Sequence, residues 1–151
     1  MRMKTFKSVD EILHFAVRSA QETAHFFTQL SKQARNVRLQ REFEKYAREE
    51  FAYMVKLSKV REIAPLGITS KQMKDLNVND YRIELNNPKE LKYSEALVVA
   101  MRKARASLKL YNDLGSRTPN NEIKSVFKSL ADDEAKHKRR FEIEYNESIL
   151  L

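Results

Sequence analysis

The chain has 151 residues, 42% of them hydrophobic and 33% charged, which is enough for one domain with one core. It contains no cysteine, which excludes disulfides, thiolate metal sites and catalytic cysteine chemistry, and its two glycines suit a highly helical protein. The formal charge of +8 comes from Lys and Arg spread through every helical segment and mixed with Glu, as on solvated faces.

Four long helices are expected. The first runs from about Asp10 to Lys32 and opens with a capping-box pattern of Ser8 and Glu11. The second covers roughly Val37 to Ile63 and ends before Pro65 and Gly67. A link over about 64–93 follows, with two of the three prolines and an Asn86-Asn87-Pro88 turn signal. An unstructured loop of that length is unusual in a compact domain, so a short helix is expected near Ser70 to Leu76. The third long helix spans roughly Ser94 to Leu114 and stops at Gly115. The fourth begins after Thr118-Pro119, with the proline in its first turn, and runs to about Glu147. Short connections within each pair make each an antiparallel hairpin, and the link becomes a crossover between them.

The two hairpins are related by an offset of 84 residues that holds without a gap. Glu11 maps to Glu95, Leu13 to Leu97, Ala16 to Ala100, Arg18 to Arg102 and Ala20 to Ala104. The register continues through Leu30 to Leu114, Asn36 to Asn120, Phe43 to Phe127, Ala47 to Ala131 and Glu50 to Glu134. Two copies of so long a unit do not make a solenoid, so the expected fold is an all-α four-helix bundle of two duplicated hairpins. It should be a single domain over 1–151.

Chemistry concentrates on one stripe. Ile123, Phe127, Leu130, Glu134, His137 and Phe141 follow a 3–4 spacing, and Leu39, Phe43, Tyr46, Glu50, Tyr53 and Leu57 repeat it earlier. A carboxylate and an imidazole on a buried stripe are costly unless satisfied, and a metal ion is one solution.

These stripes carry a resemblance. Ala16-Val17 through Phe26-Phe27, followed by Phe43-x-x-Tyr46-Ala47-x-x-Glu50-x-x-Tyr53, makes the first copy. Ala100-Met101 through Leu110-Tyr111, followed by Phe127-x-x-Leu130-Ala131-x-x-Glu134-x-x-His137, makes the second. All four helices, but not the crossover, resemble the rubrerythrin branch of the ferritin-like superfamily. The resemblance implies a ferritin-like bundle holding two irons, a non-haem iron oxidoreductase or peroxidase activity, and ligands at residues 20, 50, 53, 104, 134 and 137. Glu50, Glu134 and His137 are in place. Ala20 and Ala104 stand at the two single-Glu positions, Tyr53 replaces the first His, and Ser107 lies where a further Glu belongs. By family geometry Glu50 and Glu134 would bridge the metals, so one iron keeps no terminal ligand and the other keeps only His137. The rubredoxin-type iron centre is excluded because it needs two Cys-x-x-Cys pairs. Iron-dependent oxidoreductase activity is therefore expected to be lost or reduced, and no catalytic residue is assigned.

Two readings of the site stay open. In the first, Glu50, Glu134 and His137 bind a single divalent ion (Fe, Zn or Mn), with water in the remaining positions and room left by Ala20 and Ala104. In the second, the site is a metal-free relict in a non-catalytic assembly or interaction protein. There, protonated Glu134 bonds Glu50, the Tyr53 hydroxyl donates to a carboxylate, and His137 pairs as an imidazolium. His14 and His25 read as edge or surface residues, Met54, Met73 and Met101 as packing, and Phe26, Phe27, Leu110 and Tyr111 as core or interface.

Ferritin-like bundles pair through exposed helix faces, so a homodimer is expected. Lys136, Lys138, Arg139 and Arg140 lack a DNA-reading motif, so no specific nucleic-acid partner is expected. No apolar run is long enough to span a membrane and no signal-peptide pattern is present, which makes the cytoplasm the expected location.

Overall fold

Three of the four long helices start at a side chain that takes up a free backbone donor. A computed structural model describes residues 5–150, with side chains to Ser148; residues 1–4 and 151 of the expected domain lie outside the described residues. Ser8 is extended and accepts from Glu11 N at 3.1 Å to open α1 (Val9–Ser31). The reciprocal bond of the expected capping box shifts by one residue, because Glu11 Oε2 accepts from Lys7 N at 3.4 Å. Asn36 caps α2 (Val37–Ile63) by accepting from Leu39 N at 2.9 Å. That helix ends at the extended Ala64, where the following Pro65 disfavours helical backbone.

The crossover holds α3 (Ser70–Lys74), which has a complete capping box between Thr69 and Gln72. Two 3-10 turns follow, at Val78–Asp80 and Pro88–Glu90. Tyr81 ties the crossover to the bundle by donating to Asp113 Oδ2 at 2.7 Å. Helix α4 (Tyr93–Arg117) and helix α5 (Asn121–Leu150) complete the bundle. Helix α1 packs along α2, α4 along α5, and the two hairpins meet where α2 touches α5. No helix among the described residues is long and apolar enough to cross a membrane.

Two expected boundaries are corrected. Helix α4 does not stop at Gly115 but continues to Arg117. Gly115 is a point of close approach: a Cβ there would lie 3.3 Å from Phe127 Cβ. Pro119 is not in the first turn of α5. Asn120 is the cap, accepting from Ile123 N at 2.9 Å, and Pro119 instead lies over Gly67. Thr118 donates to Leu66 O at 2.5 Å, so the start of the crossover is latched to the α4–α5 turn.

The interior falls into two apolar halves. One gathers Ile12, Tyr53, Leu57, Leu114, Phe127 and Leu130 with Leu76 and Tyr81 of the crossover. The other stacks Phe26, Phe27, Phe43, Tyr46, Leu97 and Phe141. The polar stripe residues lie between them.

Gly67 has φ +70°, and a Cβ on it would meet Pro119 Cδ and Cγ at 2.9 Å. Gly67→Ala should therefore cost about 1–2 kcal/mol in urea denaturation. Unchanged stability would show that the latch is looser than described.

Candidate metal centre

Helices α2 and α5 bring the charged members of their apolar stripes to one place. Glu50 is 2% exposed, Glu134 1% and His137 4%. One ligand atom from each lies within 4.8 Å of the others. His137 Nδ1 is 3.2 Å from Glu134 Oε1 and 3.7 Å from Glu50 Oε1. The three expected ligands are thus brought together.

The imidazole is held from several sides. Its Nε2 pairs with Glu49 Oε2, which leaves Nδ1 turned toward the other carboxylates. Tyr46 meets the ring edge-on at 4.8 Å, and Tyr53 stacks on it at 6.0 Å. Tyr46 belongs to one apolar half and Tyr53 to the other, so His137 sits at their seam.

Two atoms in this cluster have no hydrogen bond. Glu134 Oε1 and His137 Nδ1 are buried and face each other at 3.2 Å, but without the alignment a hydrogen bond needs. A buried polar atom without a partner costs about 1–3 kcal/mol. Two of them converging beside a third carboxylate form a donor set that a divalent cation satisfies.

Electrostatics gives the same picture. Burial, then repulsion from Glu134, pushes the Glu50 carboxyl well above its ordinary value. For His137 burial opposes the charge, but the carboxylates of Glu134, Glu50 and Glu49 outweigh it and push the imidazole up to about 10. Without metal the ring is an imidazolium at neutral pH.

The other expected positions are resolved as follows. Tyr53 does not donate its hydroxyl to Glu50 or Glu134; its ring packs on His137 instead. Burial, then Glu134, holds its phenol far above the usual value, so it is neutral. Ala20 and Ala104 are 2% and 3% exposed and bring no donor atom, and Ser107 is buried. His14 and His25 are exposed on α1. Within the basic cluster Lys138 pairs with Glu142 at 2.7 Å, and Arg140 bridges Glu42 and Glu144.

Sequence reasoning missed Glu49 and Lys103. Glu49 sits one residue off the buried stripe and is one-third exposed, so helical spacing gives no signal for it. Lys103 had a signal: it is in phase with Ala96, Ala100, Ser107 and Leu110 on the apolar face of α4. It is 3% exposed and donates to Ser19 Oγ.

With this geometry in place, the comparisons are direct. The chain belongs to the rubrerythrin family, whose model matches residues 11–145. Among solved structures, a Thermotoga maritima protein described as ferritin-like and of the diiron-carboxylate type superposes with a TM-score of 0.75. It is 21% identical, and the match covers 98% of this chain and 99% of that one. At that identity the likeness establishes the fold, a ferritin-like helical bundle. None of the curated proteins matches.

The raised His137 value fixes a sign. Its contribution to the stability of the metal-free protein is full below pH 6.5 and is lost as pH rises through about 10. Glu50 acts in the same direction from pH 4.5 upward. In chelator-treated protein the unfolding free energy should fall between pH 6.5 and 10, with His137 contributing up to about 1.4 kcal/mol per pH unit. His137→Gln should flatten that slope; an unaltered slope would contradict the assignment.

Proposed function

We propose that the protein binds one divalent metal ion, iron, zinc or manganese, through Glu50, Glu134 and His137. The observation that carries this reading is the pair of unsatisfied buried atoms, Glu134 Oε1 and His137 Nδ1, directed at the same space beside Glu50. An ion held there supplies Lewis acidity and, if it is iron or manganese, one-electron chemistry. The chain's own residues orient and restrict that chemistry. Glu49 holds Nε2 so that Nδ1 is the nitrogen presented, and the Tyr46 and Tyr53 rings fix the imidazole plane.

The donor set stops at three because Ala20, Ala104 and Tyr53 occupy the positions where the family resemblance calls for two Glu and a His. A di-iron centre would lack terminal ligands on one side. Rubrerythrin-type iron-dependent oxidoreductase activity is accordingly lost or reduced, and storing, sensing or slowly oxidising a metal ion fits the remaining ligands. Metal uptake displaces the proton from His137 Nδ1, so affinity rises with pH up to about 10.

The second reading is a metal-free bundle serving assembly or interaction. The imidazolium of His137 favours it, since it already offsets one carboxylate charge. Either reading accommodates a homodimer, for which Phe51 and Val55, 56% and 36% exposed on the outer face of α2, offer an apolar contact.

Mass spectrometry of untagged protein purified without chelator should find about one ion per chain, and Glu134→Ala and His137→Ala should each abolish it. Affinity should increase about tenfold per pH unit near neutrality if one proton leaves. Two irons per chain would show the ligand count to be wrong. No metal after anaerobic incubation with Fe²⁺, Mn²⁺ and Zn²⁺ would leave the metal-free reading.

A further inference from the structure

Lys103 poses a problem that the metal centre does not solve. An ammonium group carries three donors, and this one makes a single hydrogen bond, to Ser19 Oγ. No carboxylate lies within ion-pair distance of it among the described residues. Glu50, Glu22 and Glu134 attract it only from farther off, and burial outweighs them in lowering its proton affinity. A lysine 3% exposed on the apolar face of a helix is an expensive residue with two unused donors.

Lys103 adjoins a cavity. A space of about 1130 Å³ lies between α1 and the crossover, and Lys103 and Ser19 both line it. Phe6, Phe15, Phe26 and Leu85 supply apolar wall. The charged lining residues other than Lys103, including Arg18, Glu22, Arg82 and Glu84, are exposed. Arg18 already has a partner in Glu22, at 4.0 Å. One buried cation beside aromatic walls selects a singly charged anion with an apolar body. A phosphate would need more buried donors and would waste the aromatic surface. None of the proposed metal ligands lines this cavity.

We propose that the cavity between α1 and the crossover binds a small organic monocarboxylate. Its carboxylate sits on Lys103 Nζ and the Ser19 hydroxyl, and its aliphatic or aromatic body lies against Phe6, Phe15, Phe26 and Leu85. Its lining residues are distinct from the proposed metal ligands, so carboxylate binding can be read on metal-free protein.

The test is calorimetric titration of chelator-treated full chain with octanoate and with 3-phenylpropionate, using octan-1-ol and inorganic phosphate as controls. At least one of the carboxylates should bind at one per chain, and octan-1-ol at least about tenfold more weakly, the loss expected for one charge-assisted hydrogen bond. Lys103→Met keeps the volume and removes a buried charge, so it should fold at least as well as the parent. It should weaken carboxylate binding about tenfold or more, and Ser19→Ala should weaken it less. Glu134→Ala, which removes only a distant attraction on Lys103, should weaken it less than Lys103→Met does. The proposal is overturned if neither carboxylate binds at millimolar concentration, or if Lys103→Met or the alcohol binds as tightly. It is also overturned if phosphate binds with the same dependence on Lys103, or if Glu134→Ala abolishes carboxylate binding.

Discussion

Glu50 and Glu134 stand on facing helices with almost no exposed surface, and His137 stands between them and the outer carboxylate of Glu49. An ionised carboxylate costs several kcal/mol to bury, so the bundle interior cannot hold this group without compensation. The structure compensates in part. One carboxyl is driven toward its neutral form, the imidazole is driven toward its charged form, and aromatic rings from both apolar halves clamp it. What is left over is one oxygen and one nitrogen without hydrogen bonds, both of the atom types that ligate metals. The helices, their register and the seam between the two apolar halves all act to hold those atoms in place.

Much of this was legible in the sequence because it rests on helical periodicity. The bounds of α2 follow from Asn36 and Pro65, and the Glu and His positions follow from their phase with Phe43, Leu57, Phe127 and Phe141. Errors arose where tertiary contact overrides local preference. Gly115 reads as a helix stop, yet it is a glycine because α5 passes close by at Phe127. Pro119 reads as a first-turn proline, yet it packs on Gly67 more than fifty residues earlier in the chain. Tyr53 shows a third kind of limit. Spacing places it on the buried stripe, but nothing in the sequence decides whether its ring or its hydroxyl faces the site. Glu49, off the stripe by one residue, had no periodic signal at all.

The family and the fold do not by themselves assign a reaction. A ferritin-like bundle supplies two helical stripes that face each other, and what those stripes carry decides the chemistry. Here three of the six positions implied by the family resemblance carry donor residues of the expected type, while alanine, alanine and a neutral tyrosine occupy the others. The small side chains keep the bundle packed without adding oxygen ligands. Nearby, on α4, the chain has spent a different charged residue, Lys103, on a face that otherwise buries apolar groups.

Anomalous diffraction from crystals grown with Zn²⁺ tests the central claim most directly. A single peak about 2.0–2.2 Å from His137 Nδ1 and from a carboxylate oxygen of both Glu50 and Glu134 is the expected result. Two peaks in the bundle interior, or none near these three side chains, would contradict the account.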